Sequence, residues 1–356
     1  MTKAIWLVIG VAFVCAQSMW IGRSTQGVYE DHAYVQTALS RTTAPTVIEP
    51  ILWTRLQSPL GWWSAISDAR QLIPARGLVR WSIWREAHSS AHPRLFRTVN
   101  AILAAVASLL VGVLAWCLGA PAWAAAGVMA LHPLTVEAIA MIAGRFEIVS
   151  TIGVLIACLA MTGDWWTRLY LRLPLLVSGL VLGWMGQETI GAALVLVPLV
   201  MLQRRPAPVL AQRAAWIAFM GGAITMLVAA FYARLPFVAM NVQVDAVEWI
   251  RIQAAATTRL LILAVLPFGQ TVDYDYDALS VTWQTVAALH IPLALIAAFW
   301  AWRKLPVFAL GLAWIVCVTI PRLIVATPRS YLNEHQFYLA FVGAALIGAS
   351  LVPKPV

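Results

Sequence analysis

Long unbroken apolar runs separated by short polar breaks organise this chain, and the runs lack the period-two alternation of a barrel strand. Runs of roughly 17–25 residues are the length that carries a helix across a hydrocarbon core. Backbone polar groups find no water in lipid, so such runs must be helices or strands of a closed barrel. Continuous rather than alternating hydrophobicity excludes the barrel. Candidate spans fall at 4–22, 95–118, 120–132, 147–162, 172–186, 188–203, 215–233, 285–302, 305–323 and 337–352. A further apolar segment, 250–268, carries Arg251 and Arg259 and reads as re-entrant or interfacial rather than as a full span. The pattern predicts an all-α polytopic membrane protein of about 10–11 transmembrane helices, built as one domain over residues 1–356.

Composition agrees with the pattern. A chain that is 62% hydrophobic and 11% charged is no soluble globular domain. The formal charge of +9 reports topology before it reports nucleic acid, and no nucleic-acid partner is expected. The first run follows Lys3 and reads as an uncleaved first helix rather than a signal peptide. Cys15, Cys117, Cys158 and Cys317 all lie inside apolar runs without CxxC spacing, which suits core filling.

Charge then orients the spans. Lys3, Arg168, Arg172, Arg204, Arg205, Arg213, Arg303, Lys304 and Lys354 fall on one side if the spans alternate, and the positive-inside tendency makes that side cytoplasmic. Both termini are then cytoplasmic, and a bacterial inner membrane is the expected location. Of the 15 carboxylates, all but Asp164 map to the outer face. Glu137, Glu147, Glu188 and Glu334 sit at helix ends among apolar neighbours, where a charge must pair or line a wet cavity. The first outer loop, 23–94, interleaves Trp53, Trp62, Trp63, Trp81 and Trp84 with Arg55, Arg70, Arg76, Arg80 and Arg85. That mixture predicts short helices lying at the headgroup level.

Several local patterns recur in a familiar order: "VYEDHAYV" after the first run, "ARGLVRWSIW", "HPRLFRTVNAILAAV", "LHPLTVEAIAMIAGRFEIVS", "GQETIGAALVLVPL", "LPFGQTVDYDYD" and "NEHQFYLAFVG". The series resembles the membrane half of the transmembrane, tetratricopeptide-repeat-containing O-mannosyltransferases and their bacterial relatives, in the GT-C superfamily of lipid-phosphate-sugar-dependent glycosyltransferases. Departures are local. Glu30 stands for the first aspartate of a pair, Gly77 for a proline, Arg97 for a histidine, Gln187 for a lysine and Gln336 for an arginine.

The resemblance implies a GT-C-like bundle and an inverting transfer at the outer leaflet. A polyprenyl-phosphate-linked sugar is the expected donor, and the acceptor hydroxyl belongs to a protein, a glycan or a lipid. Asp31 is the expected catalytic base, within hydrogen-bond reach of the acceptor hydroxyl. Glu30 supports it, because consecutive residues of an extended segment point apart. Substrate-binding candidates are His32, Arg76, His132, Glu137, Arg145, Glu147, Glu188, Arg329, Glu334 and His335. Arg329 and His335 lead the cations expected to stabilise the departing lipid phosphate, with Arg76, Arg251, Arg259 and Arg322 as further candidates.

His132-Pro133 predicts a helix end followed by a new helix. From there Glu137, Met141 and Arg145 recur every four residues and would line one cleft wall. No cofactor is certain; the run Asp273, Asp275, Asp277 admits a divalent cation. Membrane lipids and a membrane-protein partner that presents the acceptor complete the expected partners. Two other classes fit the same composition: a catalytically inactive GT-C-like scaffold, and a transporter of lipid-linked glycans.

Overall fold

The computed structural model describes residues 77–89, 93–142, 144–162, 169–186, 191–203, 213, 215–224, 246–268, 280–324 and 335–353. Among the described residues the chain is all-helical, with no strand. The expected first span 4–22 lies outside them, as does most of the loop 23–94.

Helix α1 (Gly77–Ser89) precedes α2 (Pro93–Cys117), whose start is set by Pro93 at the first helical position, where no donor is lost. Next come α3 (Ala122–Leu131), a 3-10 turn Pro133–Thr135, α4 (Val136–Ala140) and α5 (Gly144–Thr162). Beyond them lie α6 (Leu169–Gly186), α7 (Ala193–Gln203), α8 (Ala215–Ile224) and α9 (Ala246–Val265). The C-terminal part holds α10 (Val281–Ala288), α11 (His290–Ala301) and α12 (Pro306–Ile324). A second 3-10 turn, His335–Phe337, leads directly into α13 (Tyr338–Leu351).

Three helical segments are long and apolar enough to cross a membrane: Leu95–Cys117, Gly144–Thr162 and Val281–Ala301. The pair Ala122–Leu131 and Pro133–Ala140, bent by 60°, brings the number to four if it acts as one span. Arg172–Gly186, Ala193–Gln203, Ala215–Ile224, Pro306–Ile320 and Tyr338–Leu351 are apolar but shorter. The expected runs 95–118, 120–132, 147–162, 172–186, 188–203, 305–323 and 337–352 fall on helices near their expected limits, 285–302 falls on two consecutive helices, and 215–233 is described only to residue 224. The full-length spans among the described residues are fewer than the 10–11 expected. The segment 250–268 falls mostly within α9, a single 20-residue helix with Ala254, Ala255, Ala256, Leu260 and Leu263 buried.

Small residues set the closest packing. α5 and α6 form an antiparallel pair in which Gly153 meets Gly183 and Gly179 meets the Ala157 backbone. A Cβ at Gly153 would collide with the Gly183 backbone, so only glycine lets the two backbones approach this closely. The pairing brings Gly186, at the end of α6, against Val149 and Ser150, near the start of α5. In α12, the buried Trp314 indole donates to the Leu339 carbonyl of α13 over 2.9 Å. The main core runs through α2, α3, α5, α7, α9, α12 and α13, and includes the buried Cys158. A second, smaller core seats α1: Val79, Ile83 and Ala87, one per turn, pack on Phe96, Ile142, Phe146 and Val149.

Candidate functional site

The start of α2, the corner between α4 and α5, the end of α6 and the start of α13 share one end of the bundle. Two breaks shape that end. At the first, Pro133 cannot donate a backbone N–H and pushes His132 into an extended conformation, φ −75° and ψ 133°. The His132 imidazole then caps the new turn, its Nδ1 accepting from the Leu134 N–H at 3.2 Å. The His132 carbonyl accepts from the Thr135 hydroxyl at 2.8 Å. Phe341 of α13 lies against the imidazole, ring centroids 4.7 Å apart.

The second break, after Ala140, is absent from the periodic reading. Glu137, Met141 and Arg145 do not share one helix: α4 ends after five residues, and α5 starts afresh at Gly144. Gly144 sits so close to Ala138 that any Cβ would collide with the Ala138 carbonyl, which explains a glycine before Arg145. The carbonyls left open at the end of α4 need donors. Asn100 of α2 donates through Nδ2 to the Met141 carbonyl at 2.7 Å and the Ile139 carbonyl at 3.2 Å. Arg97 Nε donates to the Ala140 carbonyl at 3.2 Å.

Arg145 joins this clamp to α1. Its side chain is 1% exposed, and a charge that deeply placed is costly unless paired and fully hydrogen-bonded. Both conditions are met. Nη1 and Nη2 grip the Glu86 carboxylate as a fork, at 2.7 and 2.9 Å. Nη1 also donates to the Ser82 hydroxyl at 2.9 Å, and Nη2 to the Phe96 carbonyl at 3.0 Å. Nε donates to Asn100 Oδ1 at 2.7 Å. All five guanidinium N–H donors therefore have protein acceptors. Ser82 can accept because its own proton goes to the Val79 carbonyl at 2.8 Å. Asn100 is fixed in orientation too, since its oxygen faces a pure donor and its nitrogen faces two pure acceptors.

Glu147 follows in the first turn of α5, 2% exposed, and Glu137 is half-buried in the first turn of α4. The turn His335–Phe337 packs against both α4 and α5, which brings the HQFY segment to the HPLTVE segment. Of the sequence-derived candidates, His132, Glu137, Arg145, Glu147 and the backbone of His335 thus gather at this end. Glu30, Asp31, His32, Arg76, Glu188, Arg329 and Glu334 lie outside the described residues, as do Asp273, Asp275 and Asp277. No cluster of three metal-ligating side chains occurs among the described residues.

Ser82, Glu86, Arg97 and Asn100 were not among the sequence-derived site residues. Asn100 carried a usable signal: an asparagine inside an apolar helix needs a buried partner, and Arg145 is a buried cation in search of acceptors. As built, the knot suits holding and aligning rather than proton transfer, because its charges neutralise each other and its donors are occupied. Glu137, Glu147 and His132 beside it are the groups with acid, base or hydrogen-bonding capacity. No family model matches the chain, and no curated protein or solved structure matches it either.

Proposed function

We propose that the chain is an inverting glycosyltransferase of GT-C type. On this reading a sugar moves from a polyprenyl-phosphate donor to an acceptor hydroxyl, at the outer face of a bacterial cytoplasmic membrane. One observation carries the reading. The HPLTVE and GRFE segments and the HQFY segment, about 200 residues apart in sequence, meet at one end of the helical bundle. These are segments on which the family resemblance rests, and an enzyme of that kind needs them together.

In this assignment Asp31 takes the acceptor proton as the hydroxyl attacks the anomeric carbon, and the lipid phosphate leaves from the opposite face. Glu30 and His32 support Asp31. Glu137, Glu147, His132 and Glu188 bind the sugar and acceptor by hydrogen bonds, while Arg76, Arg329 and His335 receive the phosphate, with Glu334 orienting them. Arg145, whose donors are all occupied by protein, aligns the corner that carries Glu137 and Glu147 and leaves phosphate contact to other cations. The full bundle of 10–11 spans, the cytoplasmic termini and the interfacial character of 250–268 belong to the same proposal.

The occupied guanidinium also favours a second reading, an inactive GT-C-like scaffold that binds a lipid-linked sugar or a membrane partner. Transfer from a radiolabelled polyprenyl-phosphate sugar in membranes bearing wild type or Asp31→Asn separates the two. The enzyme reading requires transfer by the wild type and its loss in the variant, whereas the scaffold reading requires binding of the donor without transfer by either.

A further inference from the structure

The bundle-facing side of α1 is fully engaged: Val79, Ile83 and Ala87 fill the small core, and Ser82 and Glu86 hold Arg145. At about 100° per residue, the opposite side carries Trp81, Arg85 and His88, and Trp84 stands at its edge, half-buried against the small core. These four form two stacked pairs. The Arg85 guanidinium lies 5.7 Å from the Trp81 ring centroid, and the Trp84 and His88 rings are 4.5 Å apart. His88 is tied back by Nδ1, which donates to the Trp84 carbonyl at 2.9 Å. Arg85 and His88 are exposed, and Trp81 and Trp84 are half-buried.

We propose that this outward face of α1 binds the phosphate of anionic phospholipid headgroups, with Arg85 as the cation and Trp81 and Trp84 as the flanking aromatic surface. Depth is the first argument. α1 packs on Phe96, in the first turn of a segment, Leu95–Cys117, that is apolar enough to span a membrane. α1 therefore sits level with the hydrocarbon edge, where tryptophan and arginine are stable together. Charge is the second. The only carboxylate of α1, Glu86, turns inward to Arg145, so the helix itself sets no acid on its outward face. Chemistry is the third. A guanidinium presents forked donors to phosphate oxygens, and stacking on an indole holds it at the surface. Ring surface beside a cation matches a headgroup joined to acyl chains better than a free anion.

The test is native mass spectrometry of the full chain in detergent, titrated in separate arms with phosphatidylglycerol, phosphatidylcholine and inorganic phosphate. Wild type retains phosphatidylglycerol in preference to phosphatidylcholine, and inorganic phosphate at equal concentration does not displace it. Arg85→Gln weakens the tightest phosphatidylglycerol step roughly five-fold, the worth of one basic side chain at an anionic surface, and leaves phosphatidylcholine unchanged. Arg85→Lys, which keeps the charge and loses the fork, falls between. Arg85 is exposed and outside the buried knot, so folding is preserved in both variants. Unchanged phosphatidylglycerol retention in Arg85→Gln, an equal loss of phosphatidylcholine, or displacement by inorganic phosphate each overturns the proposal.

Discussion

Two apolar stretches of similar hydropathy, Gly144–Thr162 and Val281–Ala301, end in opposite environments. Over an 18-residue window, 89% of the first is buried inside the protein and 17% of the second. Hydrophobicity puts both in reach of a membrane but does not say which faces protein and which faces outward. Small and charged residues do. Gly144–Thr162 places glycine against α6 backbone and opens with Arg145 and Glu147, polar groups that demand partners. Val281–Ala301 carries Val286, Leu293, Ile296, Phe299 and Trp300 outward. It is tied to α9 through Thr258, whose hydroxyl lies 2.8 Å from His290 Nδ1 and 3.1 Å from the Ala287 carbonyl. Buried charge marks the organised end of this molecule, and large apolar side chains mark its periphery.

Substitutions in the two stretches should separate widely. Arg145→Ala has the largest expected effect. It leaves the Glu86 carboxylate and the Asn100 amide without their main partner, which costs about 3–5 kcal/mol. The purified variant should lose most of its unfolding midpoint in detergent; a midpoint within a few degrees of wild type would mean that the knot is not structural. Gly153→Leu comes next, since a side chain there must push the α6 backbone away, at about 1–3 kcal/mol or more. Thermal unfolding checks it, and a neutral result would contradict the close approach of α5 and α6.

Asn100→Asp sharpens the account of the corner. The aspartate still accepts from Arg145 Nε but turns an oxygen toward the Ile139 and Met141 carbonyls, for about 2 kcal/mol. Chemical denaturation would register that loss, and an unshifted midpoint would show that the α4 carbonyls have other donors. Phe299→Ala, in the outward stretch, should change stability by no more than ~0.5 kcal/mol, because the ring is 81% exposed. A large loss there would place Val281–Ala301 against a protein partner.

Much of the helical layout was legible in the sequence, because a hydrocarbon-length apolar run leaves the backbone little choice. The run expected at 95–118 is Pro93–Cys117, and the one expected at 305–323 is Pro306–Ile324. The bend at His132-Pro133 was legible too, since proline acts locally. The break after Ala140 was not: it sets Gly144 against the Ala138 carbonyl, a close approach that no local propensity announces. Arg145 stood out as costly among apolar neighbours, but its partner Glu86 lies 59 residues away among many outer-face carboxylates. Pairing at that separation is decided by how α1 docks, and apolar side chains decide that docking.

The enzymatic claim is tested most directly by the rate of sugar transfer from a labelled polyprenyl-phosphate donor, measured for wild type and Asp31→Asn at equal membrane abundance. Loss of a general base should slow transfer by about 10²–10⁴-fold while donor binding persists. Equal rates in the two membranes, or no transfer by the wild type over any acceptor class, would contradict the account.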